Sequence, residues 1–288
     1  MLLGARALGW RGELELLADD AELFAPAVEG QPRLTRVARL RFDRIAGPRS
    51  RALDPPAWIE LALARKVIRS EYDERVELPA ALVDELDGVV DGVDGVALHL
   101  LTDGPTRLLI GKFQEAADTT VLNRDKYAVE LGAWLREDDD ARPRGMRGAE
   151  FGLSPASTRR FHRGLLREIE LLPDEVAGFA RIGNVGMRSA SAIAVLSVDA
   201  DTPARWLAAG EVYEELALRL WRHRLCTAMH AGIVEVEGPN MALRGRLRTR
   251  WRPTVLFRIG RPLRDEDWLR PHASRPLLPE LLWDEAHS

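Results

Sequence analysis

Five consecutive positions, Arg65-Lys66-Val67-Ile68-Arg69, place three cations close together in the chain. Cationic donors converging from one surface can hold a phosphate dianion, and guanidinium forks match its geometry best. The same residues also make an ordinary solvated helix face, and both readings stand at this level. A second candidate is the small-residue run from Ser189 through Ser191 to Ser197. Small side chains let a flat ring approach the backbone closely, and equally let a helix pack tightly on a sheet. Arg258 stands alone as a basic residue inside the apolar run Pro253–Gly260. His99, alone in an apolar stretch, reads as a half-buried histidine rather than a ligand. The triplet Asp138-Asp139-Asp140 has no partner motif and reads as solvated. Gly183-Asn184-Val185-Gly186 lacks the Gly-x-x-x-x-Gly-Lys pattern of a phosphate loop and reads as a connection. No serine-nucleophile motif, no paired catalytic carboxylates and no metal-ligand spacing stand out, with His162, His223, His230 and His272 too scattered to share a metal.

These residues must be positioned by a small set of elements. Thr202-Pro203 is a helix start, with a capping hydroxyl and a proline in the first turn. Trp206, Leu207, Val212, Leu216, Leu220, Trp221 and Leu225 follow at helical spacing, which predicts a buried helix over 203–226. Cys226 closes that helix, as a small structural hydrophobe. After a polar connection, Pro253–Gly260 is bounded by proline and glycine and predicts a central strand. Residues 95–102 and 189–198 predict two more strands. Helices are predicted over 56–70, from Glu77-Leu-Pro79 onward, over 105–123, over 124–136 and over 159–170. Glu13–Leu17 and Leu34–Phe42 alternate like strands, Ala5–Trp10 could finish a helix, and 47–56 is a linker by composition. The apolar, Pro-rich tail from Trp268 to Trp283 needs a surface to lie against.

Composition sets the frame. At 288 residues the chain is long enough to bury a full core. A formal charge of −4 gives no electrostatic reason to expect nucleic acid or a membrane surface. One cysteine excludes an intramolecular disulfide and fits a reducing cytoplasm. The first ten residues are charged too early for a signal peptide.

In order and spacing, Trp206…Ala209-Gly210-Glu211, His223-Arg224-Leu225-Cys226-Thr227 and Phe257-Arg258-Ile259-Gly260-Arg261-Pro262 resemble the C-terminal half of the nitroreductase-like flavoproteins. The resemblance is to the Acg-type branch in particular, which carries two degenerate nitroreductase-type halves, and it spans roughly residues 34–283. Arg65–Arg69 resembles the family signature of paired arginines, a serine and a third arginine that holds the FMN phosphate and ribityl chain; here lysine and valine replace one arginine and the serine. Ser274-Arg275-Pro276 is similar to a basic-Pro-Leu motif whose arginine reaches the phosphate. The helix with Leu131 and Trp134 is similar to the family's Glu-Leu-x-x-Trp helix. The 137–150 loop would lie near the active-site mouth, as a lid or as a plain surface loop.

The resemblance implies an α+β fold: a mixed, mainly antiparallel sheet flanked by helices, with one buried central helix. It implies an FMN cofactor, NAD(P)H as reductant and a small organic substrate, with hydride moving through the flavin ring and no catalytic side chain. The cofactor-contacting set it implies is Arg65, Lys66, Arg69, Ser189, Ser191, Cys226, Thr227, Arg258 and Arg275. Residues 1–54 would correspond to the end of an N-terminal half, and 55–288 to the nitroreductase-like domain. The Asn-, Gln- and Trp-rich segment that meets the flavin in relatives is not in this sequence, which implies a homodimer or a partner chain supplying that half. The alternatives are a non-catalytic protein that sequesters flavin, and a tailoring subunit that works only with its partner.

Overall fold

The computed structural model describes residues 10–16, 38–44, 55–137, 140 and 145–269. Arg275, the tail beyond residue 269 and residues 138, 139 and 141–144 of the acidic loop therefore lie outside the described residues, as do the residues before Trp10. Among the described residues, eight strands and ten α-helices are labelled in chain order. The strands are β1 (Trp10–Leu16), β2 (Ala38–Arg44), β3 (Val96–Leu101), β4 (Leu135–Arg136), β5 (Met146–Arg147), β6 (Ala192–Val198), β7 (Cys226–Met229) and β8 (Arg252–Gly260). The helices are α1 (Pro55–Ala64), α2 (Ala80–Asp87), α3 (Gly104–Asn123), α4 (Asp125–Trp134), α5 (Pro155–Leu165), α6 (Pro173–Ser189), α7 (Pro203–Arg222), α8 (Gly232–Glu235), α9 (Glu237–Leu247) and α10 (Glu266–Leu269).

A four-stranded antiparallel sheet in the order β3-β6-β8-β7 forms the centre. β6 is buried at every position, and its alternating side chains split the core between the two faces. Ala192, Ala194, Leu196 and Val198 point to one side, with Phe257 and Ile259 of β8, and meet Val212, Leu216 and Leu220 of α7 and Leu82 and Leu86 of α2. Ile193 and Val195 point to the other side, with Leu256, and meet Ile110 of α3, Met187 of α6, Ile233 of α8 and Leu243 of α9. A strand covered on both faces reads as a continuous apolar run rather than an alternating one, which is why the 189–198 stretch was visible in the sequence. Trp206 and Trp221 of α7 are each half-buried. β1 and β2 pair with each other as a separate antiparallel ribbon.

Helix starts follow local chemistry. Asp103 caps α3 by accepting from the Thr106 amide at 2.8 Å, Ser154 caps α5 by accepting from Ser157, and prolines open α3, α5, α6 and α7.

Several expectations are corrected. Gly183–Gly186 is not a connection but the interior of α6, which runs to Ser189, so the following strand begins at Ala192 rather than 189. The glycines let α6 lie close on α3: a Cβ at Gly183 would stand 2.7 Å from Asp118 Oδ2, and one at Gly111 would stand 2.6 Å from Asn184 Oδ1. The helix predicted to reach Ser70 ends at Ala64, and residues 65–72 run extended, with Val67 in a parallel bridge to Thr227 and Tyr72 in an antiparallel bridge to Pro262. The long helix stops at Arg222, and Cys226 opens strand β7 instead of closing a helix. The polar connection after it holds helix α9, and the charged helix predicted over 159–170 is α5, beginning at Pro155.

Tyr72 locks the extended segment to the sheet. It is 1% exposed, donates to the Ile68 carbonyl at 2.8 Å, and packs against Gly260, where a Cβ would stand 2.4 Å from its ring. Because the ring is fully enclosed it has little room to yield. Gly260→Ala should therefore destabilise the fold by on the order of 1–3 kcal/mol through overpacking, read as a lower denaturation midpoint; an unchanged midpoint would show that the ring moves freely.

Candidate functional site

Two cavities open on the face of the sheet that carries α3, α6 and α8. The larger, of about 530 Å³, is walled by α3, α4, α6, the β7–α8 turn and Arg69. The smaller, of about 400 Å³, lies between the 69–71 segment, the 150–152 turn, α6 and the 263–267 segment. Arg69, Phe151 and Ile182 border both.

Arg258 sets the floor of the larger cavity. It projects from β8, is 2% exposed, and donates to the Ser70 carbonyl at 3.0 Å and the Arg69 carbonyl at 2.5 Å. Its guanidinium carbon sits 4.2 Å above the Tyr72 ring centroid, a cation–π arrangement that helps hold a desolvated charge. Its Nε is buried without a partner, and a Cβ at Gly186 would stand 3.0 Å from that atom. Arg69, which Arg258 holds by the backbone, turns its own side chain to Glu150 at 2.6 Å and over the Phe151 ring at 5.5 Å. His230, in the turn after β7, is fixed by its amide to the Leu256 carbonyl at 2.9 Å. Burial, reinforced by Arg258 and Arg69, pushes its pKa down to about 3, so the imidazole is neutral, and its Nε2 is buried without a partner.

The opposite wall is acidic and aromatic. Gln114 and Asp118 stand one turn apart on α3, with Gln114 Nε2 donating to Asp118 Oδ1 at 2.7 Å. Burial outweighs that hydrogen bond and raises the Asp118 carboxyl to about 7. Glu235 is also raised, by burial and by Glu130 across the cavity mouth. Phe179 stacks on Phe161 at 4.6 Å and leans on Phe151 at 5.7 Å, and Tyr127 and Trp134 of α4 complete an apolar flank.

Of the residues singled out from the sequence, Arg69 and Arg258 meet at this cavity. Arg65 points elsewhere, paired with Glu214 of α7 at 2.9 Å, and Lys66 Nζ donates to the Trp268 carbonyl at 2.8 Å. Ser189 Oγ accepts from the Tyr72 amide at 3.2 Å, Ser191 is buried with its amide on the Ile259 carbonyl, and Thr227 Oγ1 lies 3.1 Å from the Tyr213 hydroxyl. Cys226 is 1% exposed, its thiol pushed up to about 12 by burial, in a cluster with Ile68, Tyr72 and Ala190. These four line neither cavity. Gln114, Asp118 and the phenylalanines were not singled out, and His230 was weighed only as a metal ligand; a polar pair at i, i+4 followed by a glycine-bearing partner helix is the trace that Gln114 and Asp118 leave. Among the described residues, no group of His, Cys, Asp and Glu could hold a metal, and no helix is long and apolar enough to cross a membrane.

No family model and no curated protein matches the sequence. Solved structures do match the fold. The FMN- and NADPH-dependent nitroreductase NfnB from sphigopyxis sp. strain HMH is 18% identical, with a TM-score of 0.50 over 79% of this chain and 98% of that one. The FMN-dependent nitroreductase NfnB from Mycobacterium smegmatis, solved with NADPH, is 13% identical, with a TM-score of 0.49 over 80% and 98%. The first likeness shows a nitroreductase-like fold, in agreement with the mixed architecture of helices on an antiparallel sheet.

Two measurements test the site's physics. Arg258→Met keeps the buried stem but strips the donors from two carbonyls, and should cost on the order of 2–5 kcal/mol in urea unfolding; a cost near zero would mean that water replaces the guanidinium. The Asp118 carboxyl has a folded pKa of about 7, above the ordinary value of 3.8, so its contribution is intact below pH 3.8 and is lost as pH rises to 7. Asp118→Asn should therefore gain stability over the parent at pH 8 but not at pH 4. An equal difference at both pH values would place the carboxylate in contact with water.

Proposed function

We propose that this chain is an FMN-dependent oxidoreductase of nitroreductase type, with the flavin in the larger cavity. The observation that carries the reading is the cavity itself: aromatic side chains and the Arg258 and Arg69 guanidinium groups line one space, within a nitroreductase-like fold. Its volume lies within the roughly 300–1,000 Å³ of small-molecule sites. Gln114 and His230, which line it, each carry a buried polar atom without a protein partner, Oε1 and Nε2 respectively, and a heteroaromatic ring with polar edges would supply partners for them. Bound FMN would supply reversible two-electron chemistry at its ring, with NAD(P)H as reductant and a small organic molecule as the other substrate. Arg69 would meet the phosphate or ribityl end, Arg258 would hold Arg69 in place, and the phenylalanines would exclude water. Arg275, outside the described residues, belongs to the same proposal, as do the Acg-type affinity and a cytoplasmic location. Two-fold pairing of identical chains is part of it too, supported by the exposed side chains of Leu63, Leu263 and Leu269.

A second reading, a flavin-sequestering protein without turnover, is favoured by one observation: Arg65, Lys66 and Arg69 are all committed to partners within the chain. An absorbance spectrum separates the two. A yellow protein bleached by NADPH is expected for the enzyme, a yellow protein inert to NADPH supports sequestration, and a colourless protein that binds no added FMN sinks both. Arg69→Ala should weaken FMN binding by about 1.5–3 kcal/mol, roughly 10- to 150-fold in Kd. Unchanged affinity in a fluorescence titration would remove Arg69 from the site.

A further inference from the structure

We infer that the side chains of Gln114 and Asp118 form a recognition edge for a planar ligand bearing an N–H beside a carbonyl, as in a lactam, an imide or a carboxamide. The two residues lie on one face of α3, and both border the larger cavity. Gln114 is 2% exposed, and although its Nε2 is spent on Asp118 Oδ1, its Oε1 is buried with no partner. Such an acceptor wants an N–H. Asp118 offers the complement. Its Oδ1 already accepts, so a proton kept by the carboxyl resides on Oδ2 and can be donated onward.

The backbone around the pair is cut to fit. Gly183 of α6 and Gly232 of α8 face the carboxyl, where a Cβ would stand 2.7 Å from Oδ2 and 2.9 Å from Oδ1 respectively. Two helices thus close on the carboxyl through glycines, which desolvates it without supplying a cation. On α3 itself the neighbouring charge is Glu115, which accepts from Asn184 of α6 at 2.5 Å. α8 contributes Glu235 and α4 contributes Tyr127 and Glu130. Arg69, His230 and Arg258 border the same cavity but do not shift Asp118, whose carboxyl responds to burial first and to Gln114 second. The edge is therefore a neutral acceptor–donor pair below about pH 7 and loses its donor above it.

The inference rests on the cavity being the ligand site, as proposed above, but not on that ligand being FMN. Lumichrome, a tricyclic ring with an imide edge and no phosphate, is the probe. It is titrated by fluorescence into the full-length chain, dialysed free of small molecules, at pH 6 and pH 8. Phenazine, a tricycle without an N–H/carbonyl edge, is the control. The parent chain should bind lumichrome roughly tenfold more weakly at pH 8 than at pH 6, from a carboxyl pKa of about 7. Asp118→Asn keeps a donor at every pH, so its affinity should match the parent at pH 6 and stay level at pH 8; comparing the two proteins at one pH cancels any ionisation of the probe. Phenazine should show no such difference between the proteins. Absence of lumichrome binding at pH 6, or the same pH profile in Asp118→Asn as in the parent, overturns the inference. FMN titrated in parallel keeps the two readings apart: lumichrome behaving as expected without FMN binding removes the FMN reading alone, and FMN binding with a flat lumichrome profile removes this one alone.

Discussion

The buried guanidinium of Arg258 is the contact on which the rest of this site depends. A cation inside a sheet is expensive, because the water it leaves must be replaced by oriented dipoles and acceptors. Here the replacements all come from one place: two consecutive carbonyls at Arg69 and Ser70, and the face of Tyr72. None of these is near Arg258 in sequence, so the charge can be tolerated only if the 69–72 segment is already where it is. The requirement runs in the other direction as well. That segment has no helix of its own, and its extended path is fixed by the bridges to Thr227 and Pro262, by the Tyr72 hydroxyl on Ile68, and by Ser189. Arg258 thus makes a short irregular stretch as well placed as a strand, and that stretch carries Arg69 to the boundary between the two cavities.

This dependence explains which parts of the molecule could be read from sequence. The core strands and α7 were legible because apolar content alone defines them: β6 is buried on both faces, and α7 lays Val212, Leu216 and Leu220 against it. Residues 65–69 were misplaced on a helix because the cause of their extended form sits nearly two hundred positions away, in Arg258. Gly183–Gly186 read as a connection because an interior helical glycine costs up to about 1 kcal/mol relative to alanine. That cost is met in space rather than in sequence, by the close approach of α3.

The site shows the same division. Arg258 announced itself as a charge in an apolar run, and Arg69 as part of a basic cluster. Arg65 and Lys66 carry the same residue types yet face α7 and the Trp268 carbonyl, held by Glu214 and by that carbonyl rather than turned to the cavity. Gln114 and Asp118 look like any solvated polar pair on a helix; only the packing of α6 and α8 turns them into a desolvated one.

That packing has a consequence for how such a sequence can change over time. Positions 118, 183 and 232 share a space in which no methyl group can be added beside the carboxyl. A side chain at 183 or 232 becomes admissible only once the residue at 118 has shortened, and a shortened residue at 118 leaves room that a bare glycine does not fill. The three positions are therefore coupled rather than additive. Enlarging position 183 or 232 is therefore tied to shortening position 118, whereas replacing the acid by an amide of the same size leaves the fit of the two glycines unchanged.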